Sequence, residues 1–166
     1  MRKDELQRFL EANHARFLEA LQNHAGEPDR PVAPGKWSPA QQADHLYRSI
    51  RPVNLAFGLP AFLLRWMFGR ANRPSRTYDE LVTRYKQKLA EGGRAPAAFV
   101  PRPAPLDTSV SRIHRVTRQL IGRVNRCTED NLDHLILPHP LLGKLTLREM
   151  LYFTAYHAEH HRLQFS

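Results

Sequence analysis

The chain has 166 residues, of which 42% are hydrophobic and 25% charged, a balance that suits one soluble domain (residues 1–166) with a core large enough to need no staples. Cys127 is the only cysteine, which excludes an intramolecular disulfide and a thiolate metal cluster and points to a reducing, cytoplasmic setting. The net charge of +9 is scattered over positions such as Arg2, Arg48, Arg84 and Arg148 with no run of five basic residues, so nucleic acid is a poor candidate partner, and an anionic small substrate would also suit such a surface.

The first predicted helix runs from about Asp4 to Asn23, with Leu6, Leu10, Phe17 and Leu21 on one stripe and His14 on the same face. It follows directly on a polar start, Met1–Glu5, that lacks the pattern of a secretion signal. Three prolines between Gly26 and Gly35 end it. Helix two opens at Ser38-Pro39, an N-cap serine followed by a proline suited to the first turn. Ala43, Leu46, Ile50, Val53 and Phe57 form its apolar face, and Pro52 should kink or end it.

Residues 58 to 106 are less regular. The apolar stretch Leu55–Phe68 is interrupted by Pro60 and Arg65 and is too short to span a bilayer, so it reads as a lid or a subunit contact. Thr77 to Ala90 predicts a helix stopped by Gly92-Gly93, and Ala95–Pro105, with four prolines, an extended connection. The third major helix spans about Asp107 to Arg126, with Val110, Ile113, Thr117, Leu120, Ile121 and Val124 inward and His114 beside that stripe. Asn131–Gly143 reads as a loop or short hairpin. Thr146 with Glu149 forms a capping box that opens the last helix. With no strand pattern and no repeat, the expectation is an all-α four-helix bundle with a crossover insertion between the second and third major helices.

The last helix carries the most informative pattern, Tyr156-His157-Ala158-Glu159-His160-His161-Arg162-Leu163-Gln164. At about 100° per residue, Leu147, Met150, Leu151, Thr154 and Ala158 define an inward stripe, with Arg148, Ala155, Glu159 and Arg162 opposite. His157 and His161, four apart, fall inside that stripe and His160 at its edge. Two inward imidazoles are either hydrogen-bonded core residues or ligands of one metal ion, because bare burial costs about 1–3 kcal/mol for each polar group. A third ligand must come from elsewhere. His45, at the edge of the helix-two stripe near its start, meets the end of the last helix if the two run antiparallel. His14 and His114 could line the same cavity. His24 and His134 read as surface residues, and His139 as surface or as part of a proline-held turn.

Two stretches carry a family resemblance. Trp37-Ser38-Pro39 followed by Asp44-His45-Leu46 resembles the start of helix two in the DinB/YfiT-like superfamily. His139-Pro140-Leu141-Leu142-Gly143-Lys144-Leu145-Thr146-Leu147-Arg148-Glu149-Met150, then His157-x-x-x-His161-x-x-Gln164, is similar to its last loop and helix. The resemblance implies a four-helix bundle, frequent homodimers, and a divalent metal (zinc, nickel or iron) held by His45, His157 and His161. It further implies a metal-dependent hydrolase or a thiol S-transferase acting with a low-molecular-weight thiol on a small-molecule substrate. A non-catalytic metal-binding or stress-response module of the same fold is the alternative.

Three imidazoles leave a coordination position open, the pattern of a reactive rather than a structural site. Partners should fix the tautomers of these rings, and Gln164, near the His157–His161 direction on the wheel, is the leading candidate. No independent nucleophile is visible. Cys127 lies beside Arg126 without an activating context, so any catalysis rests on the metal.

Overall fold

The computed structural model describes residues 1–165. Four long helices make the frame: α1 (Lys3–Gln22), α2 (Pro39–Ala56), α5 (Leu106–Asn125) and α7 (Leu147–Arg162). Between them lie α3 (Ala61–Phe68), α4 (Tyr78–Ala90), α6 (Glu129–His134) and an antiparallel hairpin, β1 (Ile136–His139) with β2 (Gly143–Thr146). Around the bundle α1 packs on α7 and α5, and α2 packs on α5 and α7, which closes a four-membered ring. Leu6, Leu10, Phe17 and Leu21 of α1 meet Leu46 and Ile50 of α2, Ile113 and Leu120 of α5, and Leu147 and Leu151 of α7 in one core. No described helix is long and apolar enough to cross a membrane.

The helix starts follow from local chemistry. Ser38 Oγ accepts from the Gln41 amide and Gln41 Oε1 accepts from the Ser38 amide, with Pro39 in the first turn. Thr77 with Glu80 and Thr146 with Glu149 repeat that reciprocal cap for α4 and α7. Pro52 neither ends α2 nor shortens it: the helix runs on to Ala56. Proline removes one backbone donor, and the packing of Val53 and Phe57 in the core outweighs that single loss.

The stretch Asn131–Gly143, read as a loop or a short hairpin, contains the end of α6 and β1, and the hairpin continues to Thr146. Two four-residue strands are too short for a period of two to stand out in the sequence. Gly143 adopts φ +76°, which lets the chain reverse into β2. The Ala95–Pro105 connection holds a 3-10 turn at Ala97–Phe99.

The last helix has no solvent face over most of its length. Ala155 is fully buried against α1, where its carbonyl accepts from Asn13 Nδ2 at 3.0 Å. Arg148, expected to face outward, is also buried. Its guanidinium pairs with both carboxylate oxygens of Asp133 at 2.6 and 2.9 Å and with Glu129 at 2.6 Å. A charge so placed persists because its hydrogen bonds are filled. α4 and the hairpin cover the sides of α7 that a plain bundle would leave wet.

Candidate metal centre

α2 presents His45 two turns after its capped start, and α7 presents His157 and His161 one turn apart near its end. The two helix ends meet, and the three Nε2 atoms converge. His157 Nε2 lies 3.2 Å from His45 Nε2 and 3.0 Å from His161 Nε2. All three residues are buried. Tetrahedral zinc with Zn–N bonds of about 2.0–2.1 Å separates neighbouring nitrogens by about 3.3 Å, close to these distances.

The opposite ring nitrogens decide what the convergent ones can do. His45 Nδ1 donates to the Phe99 carbonyl at 2.6 Å, and His161 Nδ1 lies 3.2 Å from Gln42 Oε1. Gln42 is oriented by its own Nε2, which donates to the Trp37 carbonyl at 3.2 Å, so its oxygen faces His161 as an acceptor. Both rings therefore carry their proton on Nδ1 and turn an Nε2 lone pair inward. A single Nε2–H on His157 can satisfy one of those lone pairs and not both. One cation satisfies all three, and the donor set, three neutral imidazoles, suits zinc, nickel or ferrous iron.

Electrostatics keep the rings neutral. Burial pushes the His45 imidazole below its usual range, partly opposed by the Phe99 carbonyl and the Asp44 carboxylate. Burial and the neighbouring imidazoles push His157 and His161 well below theirs. Neutral imidazole is the ligating form. Trp37 covers the outer side, its ring 4.7 Å from that of His45 and stacked 6.3 Å from that of His161. Phe153 stacks on His157 at 5.0 Å.

The other candidates fall into separate places. His160 is half-buried at the rim, and Gln164 Nε2 lies 3.2 Å from its Nε2, so Gln164 contacts His160 rather than a convergent ring. The partner roles expected of Gln164 belong to Gln42 and the Phe99 carbonyl. His14 is buried in α1, with Nδ1 on the Leu10 carbonyl at 2.7 Å and Nε2 unpaired, and it is not among the residues lining the cavity described below. His114 is exposed on α5. Its neighbours Ile113, Val116 and Thr117 fill the buried arc, and His114 falls one residue outside it. His139, expected at the surface or in a turn, is buried and holds a turn: its Nδ1 accepts from the amides of Leu141 and Leu142 at 3.2 and 3.1 Å.

Asp44 is buried and ties the linker to α2. Its Oδ2 accepts from Arg48 Nε at 2.6 Å and from the Arg102 amide at 2.7 Å. Cys127 is half-buried, and burial pushes its thiol up, away from reactivity.

Beside the centre lies a cavity of about 260 Å³ that reaches His45 and His157. Val53 and Ala56 of α2, Phe68 of α3, Leu89 of α4, and Met150 and Phe153 of α7 are among the apolar residues of its wall.

The model of the DinB superfamily matches residues 9–165. YfiT from Bacillus subtilis, described as a probable metal-dependent hydrolase with an unusual four-helix bundle topology, superposes with a TM-score of 0.65 at 19% identity, over 99% of this chain and 83% of that one. TT2238, described as a four-helix bundle protein, superposes with a TM-score of 0.51 at 21% identity, over 99% of this chain and 100% of that one. Among curated proteins no match is found. At these identities the two structures carry the fold alone.

Proposed function

The chain belongs to the DinB superfamily, and on that premise we propose that it is a metal-dependent enzyme that hydrolyses a small-molecule substrate at the centre formed by His45, His157 and His161. The observation that carries this reading is the convergence of three Nε2 atoms, two of them with tautomers fixed from behind. A divalent ion bound there supplies Lewis acidity toward a substrate oxygen and lowers the pKa of water.

The protein's own part is to hold, orient and exclude. The Phe99 carbonyl and Gln42 fix two rings, Trp37 and Phe153 pack against them, and the apolar cavity admits substrate from the side of His45 and His157. His160, half-buried beside the trio and held neutral mainly by burial, is placed to pass protons between the site and solvent. Hydrolysis is favoured over thiol transfer because the cavity wall, among the described residues, presents no Lys or Arg to anchor a charged low-molecular-weight thiol.

The expected result is about one equivalent of zinc, nickel or iron in protein purified without a histidine tag. Ester or amide hydrolysis should accompany it and vanish in His157→Ala while helical circular dichroism persists. Metal binding without turnover of any ester, amide or thiol substrate assigns the non-catalytic module instead. Less than about a tenth of an equivalent, not recovered on adding metal, ends the metal reading altogether.

A homodimer completes the proposal. α3 exposes Phe62 at 74% and Trp66 at 82%, with Met67 and Leu59 nearby, an apolar face that a second copy would cover.

A further inference from the structure

The cavity beside the trio is defined by what its wall lacks as much as by what it holds. The chain has 25 lysines and arginines, yet none, and no Asp or Glu, lies among the described residues that line it. An ion entering would shed its hydration with no counter-charge to replace it.

Besides His45 and His157, three polar side chains reach the wall: Ser49, whose hydroxyl donates to the His45 carbonyl at 2.9 Å, and His139 and Tyr85. His139 is 8% exposed, and its Nδ1 accepts from two backbone amides, which forces its proton onto Nε2. The hydrogen bonds of His139 to other described residues are both made at Nδ1, which leaves the Nε2–H without a partner among them. Tyr85, 6% exposed, lines the same cavity with a hydroxyl that also lacks a partner among them. Neither atom is among the fully buried unpaired ones, so both donors open into the cavity, free to serve water or a guest. An apolar chamber with two spare donors and no charge is complementary to one kind of guest.

We infer that this cavity binds a neutral, largely apolar molecule whose single acceptor oxygen, of a ketone, ester or amide, is held by His139 Nε2–H with Tyr85 as the second donor. The inference deepens the hydrolase reading, on which it rests for the reaction at the acceptor; binding itself does not depend on the metal.

Acetophenone, benzoate and ethylbenzene are three probes of nearly the same size that differ in this respect alone. Their affinities for the full-length protein can be compared by ligand-observed NMR. Acetophenone should bind at least about tenfold more tightly than benzoate, from charge burial, and about fivefold more tightly than ethylbenzene, from one hydrogen bond. In His139→Asn the amide oxygen takes over as acceptor for the Leu141 and Leu142 amides while the far donor is removed, so the preference for ketone over hydrocarbon should disappear. Should that variant misfold, Tyr85→Phe, expected to weaken acetophenone and spare ethylbenzene, and Leu89→Trp, expected to fill the cavity and abolish binding, decide the matter. Benzoate binding as well as acetophenone, or a ketone preference untouched by the donor variants, overturns the inference. Zinc affinity measured on the same samples separates the two readings. Zinc without acetophenone refutes the cavity assignment alone, and acetophenone without zinc refutes the metal reading alone.

Discussion

Gln42 offers the sharpest test of how the centre is built. It is fully buried, donates to the Trp37 carbonyl at 3.2 Å and presents its oxygen to His161 Nδ1 at 3.2 Å. Gln42→Leu keeps the volume and removes both contacts. His161 then loses the acceptor that holds its proton on Nδ1, and the ring is free to take the tautomer whose Nε2 carries hydrogen and cannot ligate. Removing such a partner typically costs a factor of about 10–100 in metal affinity, or about 1.4–2.7 kcal/mol. The fold should lose less, about 1–2 kcal/mol for the carbonyl and the imidazole N–H left unpaired, a fall in Tm of a few degrees. Zinc affinity is read by competition with a chromophoric chelator at neutral pH, with circular dichroism confirming the helices. Gln42→Glu should recover affinity, because a carboxylate accepts the same N–H more strongly. If Gln42→Leu binds zinc within about twofold of the parent, the tautomer argument is wrong even though the three nitrogens converge.

Acid should destabilise the protein through its buried histidines, His14 and His139 among them. Burial pushes both His14 and His139 down to about 4, against about 6.5 in the unfolded chain. Between those values the unfolded state binds more protons, so stability is full above about pH 6.5 and falls as pH drops toward 4, by an amount on the order of 3 kcal/mol for each group. Denaturant titrations across that window, repeated on His14→Leu, should show a shallower loss in the variant; identical slopes would contradict it. Below about pH 4.5 Glu149 adds a second loss. Burial alone would raise its carboxyl, but hydrogen bonds from Arg73 and from the amides of Arg76 and Thr146 outweigh that and hold it below the usual range. Glu149→Ala should cost about 3–5 kcal/mol in urea unfolding, because it strands the Arg73 and Arg76 charges and the cap of α7 together. Trp66→Glu should leave the fold intact and shift the mass by light scattering from dimer to monomer; an unchanged mass removes α3 as the contact.

The legible parts of the chain were those governed by helical phase and by caps. Ser38-Pro39 and Thr146 with Glu149 mark starts that the structure places within a residue, and the phase of α7 alone turns His157 and His161 inward. The illegible parts have physical causes. Extending α7 at about 100° per residue turns Gln164 toward His157 and His161, but the helix ends at Arg162 and continues as a 3-10 turn, whose tighter winding redirects the side chain to His160. The partner of His45 is a backbone carbonyl in a segment read as merely extended, and a carbonyl has no residue signature. Arg148 and Ala155 looked solvent-facing because an isolated wheel cannot know that α6 and α1 will cover them.

The same contacts explain why the segment between α2 and α5 is more than a spacer. Its 3-10 turn gives the Phe99 carbonyl to His45 and the Pro96 and Phe99 side chains to the cavity wall. Asp44, the residue beside His45, ties that segment down by accepting from the Arg102 amide. α4 contributes Tyr85 and Leu89 to the opposite wall, and α3 contributes Phe68. A bare four-helix frame would bring the three imidazoles together but leave them open to water. Because one turn both orients a ring through its carbonyl and supplies side chains to the chamber wall, a change of backbone at 97–99 must disturb the centre and the guest together. A side-chain change such as Phe99→Ala enlarges the cavity while leaving the hydrogen bond to His45 in place. The two halves of the site are therefore separable by side chain and inseparable by backbone.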